Sequence, residues 1–182
     1  MFTRRRGRLA VATLLAITLG GLTLASALAK PSDLQLARAA TARFNSIAQA
    51  EAAGYGLPPE GPLHECIANL TGPGAMGFHL INGALLDTTV DPANPEALVY
   101  APDKHGKLKL VAVEYVVFQE PWQEEFGPDA MPPMLFGQMF MPTPAPNRYE
   151  IPAFYALHAW LWQPNPAGTF ESFNRNVSCS LR

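Results

Sequence analysis

The chain has 182 residues, with 13 lysines and arginines against 15 aspartates and glutamates, and a formal net charge of −2. Four of the arginines lie within the first eight residues, so the rest of the chain is distinctly acidic and contains no basic run. This charge balance argues against nucleic acid and anionic membrane surfaces as binding partners.

The N-terminus has the three parts of a secretory signal peptide. Four arginines lie between positions 4 and 8, an uncharged apolar stretch covers residues 9–29, and Ala27-Leu28-Ala29 ends it with small residues at the positions that a signal peptidase recognises. We therefore expect a signal peptide over residues 1–29, cleavage without stable membrane association, and a secreted or periplasmic protein. The alternatives are an uncleaved anchor, since the stretch is about long enough to span a bilayer, and a twin-arginine route, which "TRRRGR" weakly resembles. Loss of the four arginines would bring the net charge from −2 to −6.

The chain contains two cysteines, Cys66 and Cys179, and both lie in the part expected to be exported. In an oxidising compartment two cysteines most simply form one disulfide. This bond would join the start of the domain to its C-terminus. A role as metal ligand or nucleophile is the alternative, but neither cysteine has a second Cys or His at the spacing of a metal site.

Residues 30–182 are expected to form a single globular domain that starts with a helix. Ser32 is a suitable N-cap, and Gly54 is a suitable stop. The apolar side of the helix is predicted to consist of Leu36, Ala40, Phe44 and Ile47, with Glu51 at its end.

Proline and glycine divide the rest of the chain into short extended segments. Strands are predicted over 75–83, 97–102 and 107–119, and the stretch 149–162 is predicted to end in a further strand. The turn "DKHG" indicates a hairpin between the second and third strands. Residues 120–148 hold seven prolines among large apolar residues and are predicted to be a long loop packed over the domain. The predicted fold class is α+β: an N-terminal helix packed on an antiparallel β-sheet of about four to five strands, either open or partly closed into a barrel, with one disulfide.

Each strong strand carries one ionisable residue in an apolar setting: His79, Glu114 or His158. Side chains alternate between the faces of a strand, so each of these residues has a defined set of neighbours on its own face. For Glu114 these are Leu110, Ala112, Val116 and Phe118, and for His158 they are Phe154, Ala156, Trp160 and Trp162. A buried carboxylate is unfavourable by several kcal/mol unless it is paired. We therefore expect the three side chains to point into the same interior.

Three interpretations of this trio stay open. Two histidines and a carboxylate form a ligand set for a divalent metal such as zinc, copper or iron, with open coordination positions. The same residues could act as catalytic groups around a small-molecule ligand, with Glu114 as general base and His79 or His158 as acid; Tyr115, Trp160 and Asn165 are then predicted pocket residues. In the third interpretation the trio is only a buried hydrogen-bond network, in a structural or protein-interaction module that uses the loop 131–146 as its contact surface. Whether the protein is an enzyme stays open.

Several stretches also match a longer pattern: "AEAAGY", "AMGFH", "PEALVY", "VEY", "LHAWLWQPNPAGTF" and "VSC". Taken together they resemble a family of small exported, mostly bacterial proteins of unknown function. The resemblance covers nearly the whole chain after the signal peptide. It implies that the trio and both cysteines belong to the family pattern, but it implies no reaction. Where the family often has a tyrosine directly after the first histidine, this chain has Leu80.

Overall fold

A computed structural model describes residues 32–180, so the predicted signal peptide lies outside the described residues. The chain there begins with helix α1 (Asp33–Thr41). The Ser32 hydroxyl accepts a hydrogen bond from the Gln35 amide, and the Gln35 side chain accepts one from the Ser32 amide. This reciprocal capping box satisfies two of the amides that a helix start leaves without a partner. The predicted N-cap at Ser32 is confirmed.

The helix is interrupted where the sequence predicts one continuous element. A 3₁₀ turn (Ala42–Asn45) follows α1, and a second short helix, α2 (Ile47–Ala52), starts after Ser46, whose backbone is extended. The Asn45 side chain donates to the carbonyl of Ala42, which is the local competition by which asparagine disfavours helix interiors. The break also changes which side chains are buried: Leu36 is 40% exposed, and the buried residues of the segment are Ala37, Thr41, Phe44 and Ala50.

The main sheet has six antiparallel strands and curls into a half-barrel. Its strands are β1 (Ile67–Ala68), β2 (Ala75–Ile81), β3 (Ala97–Pro102), β4 (Leu108–Phe118), β7 (Met141–Thr143) and β8 (Phe154–Ala159), in the spatial order β1-β2-β3-β4-β8-β7. The antiparallel sheet and the α+β class agree with the prediction. The predicted number of four to five strands is too small, because the two edge strands have only two and three residues and one of them contains Pro142. Short, proline-bearing edge strands give almost no periodic signal.

Residues 120–148 are more ordered than the predicted loop. Helix α3 (Gln119–Phe126) is followed by a two-stranded ribbon of β5 (Met134–Leu135) and β6 (Gln138–Met139), and then by β7. Pro121 lies in the first turn of α3, where a missing amide hydrogen does no harm. The predicted packing over the domain is observed, since Leu135 and Phe140 are buried in the main core.

The two faces of the sheet bury different clusters. The α1–α2 segment and the ribbon cover one face, and the core there includes Leu80, Leu98, Tyr100, Val113, Tyr115, Val117 and Tyr155. The opposite face carries a smaller cluster of Ala75, Val99, Ala101, Val111, Ala112, Trp160 and Val177. We call these the helix face and the open face.

A β-bulge in β4 changes the predicted alternation. Val99 of β3 pairs with Ala112, whereas the next residue, Tyr100, pairs with Leu110, so Val111 is the inserted residue. Leu110 therefore joins the helix face, not the face of Glu114 that the sequence alternation predicts.

The predicted disulfide between Cys66 and Cys179 is present, with a Cα–Cα distance of 5.6 Å and a sequence separation of 113. It fastens the C-terminal segment beside β1, and the backbone of Asn174 in that segment pairs with Ala75 of β2. Among residues 32–180, no helix has the length and hydropathy needed to cross a bilayer.

Candidate functional site

The three ionisable residues of the strong strands meet on the open face. His79 comes from β2, Glu114 from β4 and His158 from β8. Glu114 and His158 are directly opposite one another in the β4–β8 ladder. His79 lies one strand farther away, across β3, where Glu114 is paired with Ala97. The β3 partner of His79 is Val99, so the imidazole reaches the Glu114 carboxylate diagonally across β3.

The side-chain heads form a close group. Nε2 of His79 lies 3.1 Å from Oε2 of Glu114, and Nδ1 of His158 lies 3.9 Å from Oε1. One ligand atom from each residue can be chosen so that all three lie within 4.8 Å of one another. His79 and His158 are 2% and 3% exposed, and the Glu114 side chain is 13% exposed. The predicted convergence of the trio is confirmed.

The protonation of Glu114 and His158 depends on their burial and on the contacts between the carboxyl group and the two imidazole rings. Burial alone would raise the pKa of the Glu114 carboxyl, but His158 and His79 beside it outweigh burial and hold the pKa far below its usual value. Burial lowers the pKa of His158, against the opposing effect of the Glu114 carboxylate. At neutral pH the site therefore contains an ionised Glu114 and a neutral His158.

The imidazoles are under-satisfied. None of the four ring nitrogens of His79 and His158 makes a hydrogen bond of acceptable geometry, although all four are buried. The His79–Glu114 contact is close in distance but does not have the direction of a hydrogen bond. A buried nitrogen without a partner is unfavourable by about 1–3 kcal/mol. The two imidazole rings thus hold nitrogen atoms that no hydrogen bond of the fold uses, and their burial without partners does not stabilise the fold.

The dimensions of the group fit a metal ion. Zinc–nitrogen and zinc–oxygen bonds of about 2.1 Å place neighbouring ligand atoms of a tetrahedral site about 3.4 Å apart. The observed contacts of 3.1 and 3.9 Å lie on either side of that value. The three ligand atoms lie within 4.8 Å of one another, so shifts of about 1 Å in side-chain position would bring them to bonding distance from one ion. His79, Glu114 and His158 are the residues that could hold this ion.

A cavity of about 400 Å³ opens on the trio. The sheet forms its floor, and parts of the segments 58–67, 141–151 and 170–173 form its walls. Most of the lining is apolar: Pro58, Leu63, Ile67, Met76, Ile81, Leu86, Ala97, Val116, Phe118, Met141, Ile151, Phe154, Ala156, Leu157, Phe170 and Phe173. Apolar walls with a few polar groups are typical of small-molecule sites, and the volume lies in their usual range. Val116, Phe118, Phe154 and Ala156 share the cavity with the trio, as the strand alternation predicts.

The cavity lining contains four further polar residues that the sequence does not predict: Glu96, Thr143, Tyr149 and Ser172. Glu96 is 2% exposed, and its Oε2 accepts a hydrogen bond from the Val116 amide at 2.9 Å. Glu96 directly precedes β3. Its carboxylate therefore accepts from β4 the hydrogen bond that a β3 carbonyl would accept if the β3–β4 ladder continued. Tyr149 reaches the cavity from the segment after β7. Glu96 could have been found as a carboxylate directly before the apolar run "ALVY", whereas Tyr149 lies in a proline-rich segment with no periodic signal.

The predicted companion residues lie elsewhere. Tyr115 is buried on the helix face, where its hydroxyl donates to the carbonyl of Pro92 at 2.8 Å, so it does not line the cavity. The Trp160 ring packs on His158 with 4.6 Å between centroids, and its Nε1 donates to the Glu171 carbonyl, which supports the imidazole from behind. Asn165 donates to the carbonyl of Phe173 at 3.1 Å and organises the loop that carries one cavity wall.

Trp162 is also displaced from the predicted face. Strand β8 ends at Ala159, and Trp162 packs against the helix-face core beneath the guanidinium of Arg38. The two remaining histidines stay away from the trio. His64 is exposed, with its Nδ1 2.7 Å from the Pro58 carbonyl oxygen, and His105 is exposed in the β3–β4 turn.

Comparison with known proteins adds no relative to this description. No protein-family model, no curated protein and no solved structure matches the chain. The resemblance to small exported proteins therefore stays a prediction. What the site can do has to be worked out from its own residues and geometry.

Proposed function

We propose that this protein binds one divalent transition-metal ion through His79, Glu114 and His158, with an open coordination position directed into the cavity. The observation that carries the proposal is the meeting of three potential ligands, from three separate strands, with imidazole nitrogens that have no other partner. Two nitrogens and one carboxylate oxygen make up a common protein ligand set for zinc and iron sites that keep open positions.

The protonation state of the site also supports metal binding. A metal ligand must offer a lone pair, so a carboxyl has to be ionised and an imidazole neutral. The pKa of Glu114 is held low by its two histidines, and burial holds the pKa of His158 below its ordinary value. Glu114 and His158 are therefore in their ligating forms at neutral pH.

The surroundings give the ion a defined setting. Trp160 packs on His158 and limits rotation of that ring. A bound divalent ion would supply a positive centre, able to act as a Lewis acid, at the edge of an apolar cavity. The Cys66–Cys179 disulfide supports the further proposal that the chain is exported to an oxidising compartment.

The test is a metal titration of the exported chain after treatment with a chelator. Zn²⁺ and Co²⁺ are titrated by calorimetry, and Co²⁺ is also followed by its visible absorption, which reports coordination geometry. We expect one ion per chain. His79→Ala and His158→Ala should each weaken binding by at least about 100-fold, since even residues that only support a metal ligand contribute 10- to 100-fold.

His105→Ala is the matched control, because it removes an exposed histidine from a turn outside the site. Its metal affinity should equal that of the unmodified chain. Circular dichroism in the absence of metal separates lost ligation from lost folding. If the trio is purely structural, the chain binds no metal, or it binds metal with the same affinity in His79→Ala, His158→Ala and His105→Ala. Either result rejects the proposal.

A further inference from the structure

The cavity has the character of a site for a mainly hydrocarbon molecule with one polar end. Side chains such as Ile81, Val116 and Phe118 extend its apolar surface away from the trio. A volume of about 400 Å³ has room for about a dozen non-hydrogen atoms, at about 30 Å³ for each water-sized group. Few polar groups line the cavity. A ligand can therefore have polar groups at one end only, because polar groups elsewhere would lose their hydrogen bonds to water without finding new partners in the cavity.

The charge of that polar end follows from the ionisable residues around it. The described cavity lining includes the carboxyl groups of Glu114 and Glu96 and contains no lysine or arginine. With the metal absent, the carboxyl groups of Glu114 and Glu96, with no lysine or arginine beside them in the lining, favour a hydrogen-donating head group such as an ammonium group. A divalent ion on the neutral imidazoles and the Glu114 carboxylate leaves one net positive charge, which a monoanionic head group neutralises. Metal binding therefore reverses the charge preference of the cavity.

The cavity lining contains three residues with a hydroxyl group, Thr143, Tyr149 and Ser172, and that of Tyr149 is free to recognise such a head group. Tyr149 is half-buried and lines the cavity, and its hydroxyl has the Met76 sulfur, 4.0 Å away, as its polar neighbour. A thioether is a weak acceptor, so this hydroxyl can donate to a ligand oxygen without giving up a strong bond. A carboxylate has two oxygens, and one can face the metal while the other accepts from Tyr149.

We propose that the metal-loaded cavity binds an unbranched or cyclic hydrocarbon carboxylic acid of medium length, with its carboxylate at the open position of the trio and hydrogen-bonded to the Tyr149 hydroxyl. This inference rests on the proposed metal site. It adds the class of ligand, the charge of its head group and a residue that selects it.

The experiment uses the exported chain in two forms, chelator-treated and loaded with one equivalent of Zn²⁺, and the probe is decanoate below its micelle concentration. Binding is measured by calorimetry. The zinc-loaded form should prefer decanoate over decylammonium by at least about tenfold, and the metal-free form should reverse the order. Affinity should rise about threefold to fourfold for each methylene from hexanoate to decanoate, because each CH₂ enters an apolar environment.

Two variants test the placement of the ligand while leaving the three metal ligands in place. Tyr149→Phe should weaken decanoate binding by about tenfold with unchanged zinc affinity. Ala156→Leu adds a larger side chain to the cavity floor and should abolish decanoate binding. Retained zinc affinity in each variant shows that the fold is intact.

The outcomes separate the two proposals. Failure to bind Zn²⁺, measured before any acid is added, rejects the metal site and the inference with it. Zinc binding without decanoate binding overturns the inference alone, as does decanoate binding that is equal with and without zinc. A decanoate affinity unchanged by both Tyr149→Phe and Ala156→Leu places the acid outside the cavity and also overturns the inference.

Discussion

The carboxyl of Glu96 should make the stability of this protein depend on pH in an unusual direction. The residue is 2% exposed, and burial is the largest influence on its pKa, raising it from 4.5 to about 8 despite a hydrogen bond from the Val116 amide. The folded state therefore holds the Glu96 proton more tightly than the unfolded chain does. Glu96→Gln is the informative change, since glutamine mimics the protonated acid and keeps an acceptor oxygen for Val116.

The sign and size of the effect follow from linkage between protonation and folding. A group that binds its proton more tightly in the folded state stabilises the fold most at low pH and loses that contribution as pH rises. For Glu96 the loss starts near pH 4.5 and is complete above about pH 8. A pKa change from 4.5 to about 8 corresponds to a loss of about 5 kcal/mol at most. Above pH 8 the Glu96→Gln variant should therefore be more stable than the unmodified chain.

The assay is urea unfolding of both proteins, without added metal, at steps between about pH 4 and about pH 9. The difference in unfolding free energy between them reports on Glu96 together with its charge interactions with Asp87 and Glu114. Glu60→Gln, at an exposed glutamate in a loop outside the cavity, is the matched control. A flat difference for Glu96→Gln would show that its carboxyl is ionised in the folded state at neutral pH, and would refute the reasoning.

Two further predictions concern the framework around the site. Replacing both Cys66 and Cys179 with alanine should lower the free energy of unfolding by about 4–5 kcal/mol, because it opens a loop of more than a hundred residues. Urea unfolding measures this loss, and a change below about 1 kcal/mol would contradict the prediction. Gly77→Ala should destabilise the fold by about 2–4 kcal/mol, because Gly77 has φ +124° and an added Cβ would meet the carbonyl oxygen of Tyr100 on β3. Thermal unfolding measures this effect as a lower midpoint temperature. Gly83→Ala is the control, because its added Cβ meets open space, and it should lower the midpoint much less than Gly77→Ala does.

The convergence of the site was predictable from the strand period. His79, Glu114 and His158 each interrupt an apolar strand, and a buried carboxylate needs partners, so the expectation that they meet followed from physical chemistry without knowledge of strand order. The Cys66–Cys179 bond followed in the same way, since two cysteines allow one intramolecular pairing. Both expectations depend on burial and pairing rules that hold for any arrangement of strands.

The errors have local causes. Leu110 was assigned to the wrong face because the bulge at Val111 inserts one residue, and a single sequence carries no clear sign of a bulge. Trp162 was assigned to the cavity face by continuing the alternation beyond Ala159, where β8 ends. Tyr115 is different: it follows Glu114 directly in a strand, so period-2 alternation already places it on the opposite face. Strand alternation alone therefore places Tyr115 away from the cavity, contrary to the prediction.

The division of the molecule into two faces explains how such a site can exist without making the fold unstable. Among the residues that the structure describes, seventeen buried residues form the cluster on the helix face, and seven form the one on the open face. Hydrophobic burial is therefore concentrated on the side away from the trio. The open face is covered by connecting segments, and it can keep a cavity and two histidine side chains without hydrogen-bond partners because the opposite core supplies most of the stabilisation. Stability and ligand binding in this protein should thus respond to substitutions on opposite faces of the same strands.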